Sequence, residues 1–320
     1  MLKMRNAAWM TTVAAMVFGA GVASGQDFPN KSIRVVTAAV GGGADFVARL
    51  VAQEIAGGLG QQVIVDNRTG GTVQAEIVAK APPDGYTLLA ATGAFWTFPL
   101  MQKVPYDPVR DFSPVSLTVS APSVLVIHPS VGANSVKELI ALAKAKPGSL
   151  NYASGPSGSS NHLASELFKS LAGLNIVRIA YKGSGPGTVA VIGGEAQMII
   201  TSPNTVAPHV KAGKLRALAV TSAQPSVLVP DLPTMAAAGV PGYESVSRDA
   251  IFAPAKTPAA VINRLNQEIV RALNRADVKE KFLKAGTETV GSSPQQLAVW
   301  LKAEMARLGK LIKVAGIKTE

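Results

Sequence analysis

Three turns rich in glycine and serine could bind a small anion. They span residues 40–45, 154–161 and 181–187. Each turn follows a run of β-branched apolar residues and precedes a helical pattern, so the free N–H groups of a helix start would point outward. Four serines in the second turn add hydroxyl donors. Glycine and serine also mark ordinary tight turns and helix caps, which is the alternative interpretation of each turn.

Residues that catalysis or metal binding would need are scarce in this sequence. The chain has no cysteine, and its three histidines, His128, His162 and His209, lack the spacing of metal ligands. No Gly-Lys-Ser or Gly-Lys-Thr occurs, and the first turn lacks the glycine spacing of dinucleotide-binding proteins. We therefore predict no metal, no cofactor and no enzyme activity.

A serine and histidine pair is the one catalytic arrangement that the sequence leaves open. His162 follows the second turn and could meet Ser157, but no Gly-x-Ser-x-Gly elbow is present. We favour the interpretation that His162 lies in the first turn of a helix, with its ring satisfied by backbone or water.

Aromatic side chains gather just after the third predicted strand, at Phe95, Trp96 and Phe98. In a doubly wound sheet, ligands sit at the carboxyl ends of strands. We expect Trp96 and Phe98 to be core residues, while Phe95, two residues after Gly93, either lines a cleft or joins them.

The elements that position these residues alternate between strand and helix, which is typical of βαβ units and a mostly parallel sheet. Predicted strands span residues 33–40, 62–66, 86–91, 124–128, 151–154, 177–181, 197–201 and 215–221. Predicted helices span residues 44–59, 73–80, 135–145, 160–171, 188–192, 206–212, 258–274, 276–285 and 294–314. The fold class is therefore α/β.

Two extended stretches with few charges, residues 114–127 and 245–254, separate the middle of the chain from its flanks. We interpret them as crossings between two doubly wound lobes. The first lobe would be discontinuous, with residues 26–123 plus 248–320, and the second would hold residues 124–247. Without the 25 residues of the export signal described next, about 295 residues remain. This length exceeds the usual size of one hydrophobic core, which favours two domains or one large one.

The first 25 residues have the layout of an export signal. Lys3 and Arg5 precede an uncharged run, and the segment ends in Ala23, Ser24 and Gly25. The apolar run is shorter than the ~20 residues that a membrane anchor needs. We predict cleavage after residue 25 and a periplasmic mature protein.

The net charge of +11 favours solubility and a weak attraction to anions. Nucleic acid is not an expected partner, because the basic residues are spread along predicted helices without interleaved aromatics.

Short motifs along the whole chain resemble the receptors of tripartite tricarboxylate transporters, the Bug family of extracytoplasmic solute receptors. These motifs are residues 28–31, Gly41-Gly42 with Asp45, Ala48-Arg49, and residues 66–68, 83–86, 105–108, 151–154, 181–183, 213–221 and 231–234.

The resemblance implies a type II periplasmic-binding-protein fold whose two lobes close on a small organic carboxylate, which a two-component integral membrane permease then takes up. Residues 40–45, with Thr92 and Gly93, would hold one carboxylate, and residues 157–160 the other end of the ligand. The predicted ligand-binding residues are Val40, Gly41, Gly42, Ala44, Asp45, Thr92, Gly93, Phe95, Ser154, Ser157, Gly158, Ser159, Ser160, Lys182, Gly183, Thr201, Ser202 and Arg248.

Departures from the family pattern concern the ligand. Many members carry acids where this chain has Ala190 and Thr201, which argues mildly against an amino-acid ligand. An aromatic pair is common where Arg248 and Asp249 stand, so Arg248 could either bind a carboxylate or pair with Asp249 at the cleft rim. Together with Phe95, this favours a mono- or dicarboxylate with an apolar or aromatic body.

Two other functions stay open at this point. A monomeric binding protein of this kind could present its closed form to a membrane kinase for sensing instead of feeding a permease. A hydrolase or lyase using Ser157 and His162 is the remaining alternative, and it requires turnover of the ligand.

Overall fold

The computed structural model describes residues 28–317, and in them the chain forms two β-sheets with helices on both faces of each. This agrees with the predicted α/β class. The predicted signal peptide, residues 1–25, lies outside the described residues.

The first lobe is built on a six-stranded sheet of order β11-β4-β10-β3-β1-β2. Its amino-terminal elements are β1 (Ile33–Thr37), α1 (Gly43–Leu59), β2 (Val63–Asn67), α2 (Val73–Ala79), β3 (Thr87–Ala91), α3 (Gly93–Met101) and β4 (Phe112–Pro122). Its later elements are β10 (Val246–Pro254), α8 (Ala259–Asn274), α9 (Ala276–Lys284), β11 (Glu288–Thr289) and α10 (Pro294–Ala315). β1 runs parallel to β2 and β3, whereas β10 runs antiparallel to β3 and β4.

The second lobe is built on a five-stranded sheet of order β7-β6-β8-β5-β9. Its elements are β5 (Val124–Ile127), a short 3-10 helix (Pro129–Val131), α4 (Val136–Ala145), β6 (Asn151–Ser154), α5 (Ser160–Ala172), β7 (Val177–Ala180), α6 (Ser184–Ile192), β8 (Met198–Thr201), α7 (Pro203–Lys211) and β9 (Arg216–Val220). β6 runs parallel to β7 and β8, and β5 runs antiparallel to β8 and β9.

Alternation along the strands divides the apolar side chains between two faces of each sheet. In β3, Leu88 packs with α1, α8 and α9 on one face, while Leu89 packs with α2, α3 and α10 on the other. Because β1, β2 and β3 run parallel, as do β6, β7 and β8, the carboxyl ends of these strands lie at one edge of each sheet, where the loops that follow them begin.

The two crossings between the lobes meet at one buried residue, Thr221. The amide of Ser123 donates to Oγ1 of Thr221 (2.8 Å), and the amide of Thr221 donates to the carbonyl of Ser123 (2.9 Å). The amide of Ser245 donates to the carbonyl of Thr221 (2.9 Å). Residues 114–127 are thus not one strand, because the chain leaves the first sheet at Ser123 and enters the second as β5.

Helix α10 packs against both lobes. Its Leu297 and Leu301 join the aromatic core of the first lobe, and its Leu311 joins the core of the second. The predicted start is confirmed: Ser293 caps the helix, and the side chain of Gln296 accepts from the Ser293 amide (2.8 Å).

Helix α3 was not predicted from the sequence. Its residues are apolar all round, so they carry no helical period, and Pro99 lies inside it. The third turn also enters its helix earlier than predicted, at Ser184. None of the helices within residues 28–317 has both the length and the apolar character needed to span a bilayer.

Candidate ligand-binding site

The first turn leads from β1 into α1 and presents backbone amides. Gly41 has a φ of +81°, a conformation that favours glycine, and the N-cap residue Gly42 has no side chain to cap the helix. The first amides of α1, from Gly43 onward, have no intrahelical acceptor. Val40 exposes 74% of its surface beside them. The turn can therefore donate several hydrogen bonds to an anion.

The side chain of Asp45 holds this turn in place through hydrogen bonds. Its buried carboxylate accepts from the Gly41 amide (2.9 Å) and from Nδ2 of Asn67 (2.8 Å), and it pairs with Nε of Arg49 (2.8 Å). Burial alone would raise the pKa of Asp45, but these partners outweigh it and hold the pKa below its ordinary value. The Asp45 carboxylate thus orders the turn by accepting from neutral donors, and its negative charge is paired with Arg49.

The second contribution from the first lobe is the start of α3. Thr92 is the N-cap residue of this helix, and it lines a cavity of about 30 Å³ together with Ala38, Gln74 and Phe95. Oε1 of Gln74 is buried and has no hydrogen-bond partner among the described residues. Nothing in the sequence marks Gln74 in advance, because an isolated glutamine at a helix start is unremarkable.

Phe95 lies in an aromatic core and also borders this cavity. It exposes 6% of its surface, stacks on Tyr106 (5.3 Å between ring centroids) and meets Phe112 edge-on (4.8 Å). The hydroxyl of Tyr106 donates to the carbonyl of Phe95 (2.9 Å). Trp96 is buried as predicted, whereas Phe98 is only half-buried.

The serine-rich turn leads from β6 into α5 and is held by side chains of the helix that follows it. Oδ1 of Asn161 accepts from the Gly155 amide (3.1 Å) and from the hydroxyl of Ser159 (2.7 Å). Nδ1 of the buried His162 accepts from the Gly158 amide (3.1 Å). His162 is therefore satisfied by backbone, as predicted. Ser160 is exposed at the first position of α5.

Arg178, on the neighbouring strand β7, also holds the serine-rich turn. Its guanidinium donates to Oγ of Ser154 (2.8 Å), to the carbonyl of Gly155 (2.9 Å) and to Oγ of Ser157 (3.1 Å). Ser154 is fully buried, so its hydroxyl belongs to this internal network. Sequence reasoning missed Arg178 because only the pairing of β6 with β7 brings it to the turn.

The third turn adjoins the second. Nδ2 of Asn161 reaches Oγ of Ser184 at 3.5 Å, next to Gly183 at the start of α6, and Lys182 is exposed. At the end of β8, Thr201 is buried, and the hydroxyl of the exposed Ser202 bonds that of Thr205 (2.7 Å).

The crossing strand β10 carries Arg248 and Asp249. Nη2 of Arg248 pairs with Oε1 of Glu244 (2.7 Å), and its guanidinium lies over the ring of Trp300 (5.2 Å to the centroid). The alternative in which Arg248 pairs with Asp249 was wrong, because Glu244 takes that place. The half-buried carboxyl group of Asp249 makes no hydrogen bond or ion pair within residues 28–317, and burial raises its pKa to about 7.

The two lobes touch at the serine-rich turn. Gly158 has a φ of +75°, and a Cβ built on it would lie 2.7 Å from Sδ of Met101, at the end of α3. The missing side chain of Gly158 thus makes room for a residue of the other lobe. The start of α5 therefore lies against the end of α3 in the first lobe. Within the first lobe, Ala38, which follows β1, and Thr92, at the start of α3, line one cavity.

The family model of the tripartite tricarboxylate transporter family receptor matches residues 47–317. The chain belongs to this family. BugT of Bordetella pertussis is 35% identical over 318 residues, which are 97% of this chain and 98% of BugT.

Two solved structures support the same assignment. The structure of Rpa4515 from R. palustris with adipate is 36% identical, has a TM-score of 0.74 and covers 92% of this chain and 100% of its own. MatC from Rhodopseudomonas palustris with bound malate is 29% identical, has a TM-score of 0.70 and covers 89% of this chain and 100% of its own.

These comparisons confirm the predicted Bug-type receptor and its two-lobed binding-protein fold. Receptors of this family are periplasmic solute-binding proteins, so the expectation that this receptor is not an enzyme is confirmed. The hydrolase alternative with Ser157 and His162 was wrong.

Proposed function

We propose that this receptor captures a small organic mono- or dicarboxylate by closing its two lobes and delivers it to a two-component permease of the tripartite tricarboxylate type. The observation that supports the proposal is the contact of the serine-rich turn with Met101, because it brings the amide-presenting start of α5 in the second lobe against the first lobe. Relatives of this receptor hold adipate and malate, which supports a carboxylate ligand.

The carboxylate would be recognised by oriented neutral donors. In the first lobe we assign it to Val40, Gly41, Gly42, Ala44 and Asp45, through the backbone of their turn, with Thr92 and Gly93. A helix start favours an anion because its free N–H groups carry partial positive charge. Asp45 would act through the turn that it orders, since its own oxygens are already occupied.

In the second lobe the serine-rich turn would hold the other end of the ligand. Ser160 would donate through its amide and hydroxyl. Ser157, Gly158 and Ser159 would form the turn that presents it, held by internal hydrogen bonds, and buried Ser154 would support them. Lys182, Gly183, Thr201, Ser202 and Arg248 complete the proposed site. Arg248 would bind a second carboxylate only by giving up Glu244.

The body of the ligand would be apolar or aromatic. The small cavity beside Thr92 is lined mainly by alanines and Phe95, and no lysine or arginine of the described residues lines it. A charged group placed there would lose its hydration without gaining a counter-charge.

We further propose that residues 1–25 direct export and are removed, and that the mature receptor is a monomer. Its lobes would be residues 26–123 with 248–320, and residues 124–247, hinged at Thr221. A ligand that contacts both lobes favours the closed form, because only that form makes all of the contacts.

The test is calorimetric titration of the receptor, purified from the periplasm, with a panel of aliphatic and aromatic carboxylates, amino acids and sugars. Mass spectrometry then identifies the amino terminus of the receptor and the compound that is recovered. We expect an amino terminus at Gln26, binding of one class of carboxylate, and recovery of the acid unchanged. Binding of sugars or amino acids instead would refute the proposal.

A serine pair on α5 tests where the ligand binds. Ser160→Ala removes an exposed hydroxyl at the helix start and should weaken binding about tenfold, because a hydrogen bond to a charged group contributes about 1.5 kcal/mol. Ser170→Ala removes an exposed hydroxyl from the far end of the same helix and should change nothing. Equal affinity in both variants would exclude Ser160 from the site.

A further inference from the structure

Arg178 holds the serine-rich turn from the neighbouring strand. It lies on β7, the edge strand of the second sheet, and its half-buried side chain crosses to the end of β6. There one guanidinium donates to three oxygen atoms, from Ser154, Gly155 and Ser157. A planar fork of donors holds such a set of acceptors in one fixed arrangement.

The three acceptors of Arg178 are all oxygen atoms of the serine-rich turn. Arg178 therefore occupies oxygen atoms of the turn and not the first amides of α5, from Ser160 onward, which a helix start leaves without an intrahelical acceptor. Asn161 and His162 tie the Gly155 and Gly158 amides back to α5, so the turn is anchored at both ends. A binding loop that is ordered before the ligand arrives loses less conformational entropy on binding.

The positive charge of Arg178 should also favour binding of a carboxylate. Its guanidinium donates directly to the hydroxyl of Ser157, within the turn that would hold the ligand. A full positive charge in a partly buried place attracts an anion more strongly than the same charge in water. It also polarises the hydroxyls that it contacts.

We propose that Arg178 is a positioning residue for carboxylate recognition, which holds the serine-rich turn in its binding shape and lends it positive potential through Ser154 and Ser157. This inference rests on the proposed function. Arg178 acts through the turn, so its effect should be the same for every carboxylate that the receptor binds.

The experiment compares Arg178→Ala and Arg178→Lys with a matched control, Arg216→Ala. Arg216 is also a half-buried arginine on a strand of the second lobe, and its Nη1 donates to the carbonyl of Ala133 (2.8 Å), away from the turn. Titration with adipate, malate and the tightest-binding acid of the panel gives Kd at low and high salt. Hydrogen exchange of the ligand-free proteins follows the amides of residues 155–161.

We expect Arg178→Ala to raise Kd at least tenfold for each bound acid, to reduce the salt dependence of Kd, and to speed exchange in the turn. Arg178→Lys keeps the charge but not the fork, so it should retain the salt dependence and lose part of the affinity. Arg216→Ala should leave Kd and exchange of the turn unchanged, whatever it costs in stability.

Unchanged Kd or unchanged exchange in Arg178→Ala would overturn the assignment. Should that variant fail to fold, the same two measurements on Arg178→Lys decide. Failure of the proposed function is a separate outcome, since the wild-type receptor would then bind no acid at all, whereas failure of the role of Arg178 leaves wild-type binding intact and equal in the variant.

Discussion

Asp249 should make the stability of the receptor fall as the pH rises from 5 to 8. It precedes Ala250, which pairs with Ala91, so it lies beside the end of β3 at Thr92. Alternation along β10 places it on the face opposite to Arg248. Burial without a hydrogen-bonding partner in the described residues raises its pKa from 3.8 to about 7.

The size of the effect follows from the two pKa values. A carboxyl group with a raised pKa binds its proton more tightly in the folded protein, so stability is greatest below the unfolded value and is lost as the pH rises through the folded one. Raising the pKa of Asp249 from 3.8 to about 7 corresponds to roughly 4 kcal/mol when its carboxyl group is fully ionised. Between pH 5 and 8 the expected loss is about 2–3 kcal/mol.

Three carboxylates with lowered pKa values do not contribute to this fall in stability between pH 5 and 8. Burial alone would raise the pKa of Asp45 and of Asp66, but hydrogen bonds to their charged forms outweigh it and lower both pKa values. The hydrogen bond from Arg110 likewise lowers the pKa of Asp111. Their stabilising contribution is therefore present throughout pH 5–8 and is lost only in stronger acid.

The assay is chemical denaturation of the ligand-free receptor at pH 5, 6, 7 and 8. Asp249→Asn keeps the shape of the side chain without its charge, so it should flatten the slope and stabilise the receptor at pH 8. Asp231→Asn, at an exposed position of the second lobe, is the control and should keep the wild-type slope. Asp249 is not the cause of the pH dependence if Asp249→Asn loses as much stability between pH 5 and 8 as the wild type.

Two further changes probe buried hydrogen bonding. Thr221→Val leaves the amide of Ser123 without the acceptor that joins the crossings, so the free energy of unfolding should drop by about 1–3 kcal/mol. The same substitution at an exposed threonine, Thr69→Val, is its control and should change that free energy by no more than about 0.5 kcal/mol. Gln74→Leu removes an unpaired buried acceptor and should raise the free energy of unfolding by about 1 kcal/mol, against no more than about 0.5 kcal/mol for exposed Gln53→Leu. Denaturation midpoints check both, and a stabilised Thr221→Val or a destabilised Gln74→Leu would contradict them.

Local chemistry explains why so much of the fold could be predicted. Strand β6 has the predicted bounds, and α5 and α10 begin at the predicted residues. The serine cap of α10 and the change from period 2 to period 3.6 depend only on neighbouring residues. The three turns follow from the same signals, and the structure places them at the carboxyl ends of β1, β6 and β7.

The features that the sequence did not predict depend on contacts between distant segments of the chain. Helix α3 has no amphipathic period, since its rings pack against β10, β4 and α10 at once. The partner of Arg248 depends on the course of the chain before β10, which brings Glu244 and not Asp249 to its side chain. Arg178 has no motif at all, and only the register of β7 against β6 reveals it.

Three charged side chains near the proposed site already have partners within the protein, which bears on the selectivity of binding. Asp45 is paired with Arg49, Arg248 with Glu244, and Arg178 with the oxygens of the serine-rich turn. On the proposed function, the ligand would meet oriented amides and hydroxyls first, with ionic groups behind them. Neutral donors recognise the carboxylate without specifying what it is attached to, so discrimination between acids would fall to the cavity beside Thr92 and Phe95. Changes to that cavity should then exchange one acid for another, whereas changes to Arg178 should weaken them all.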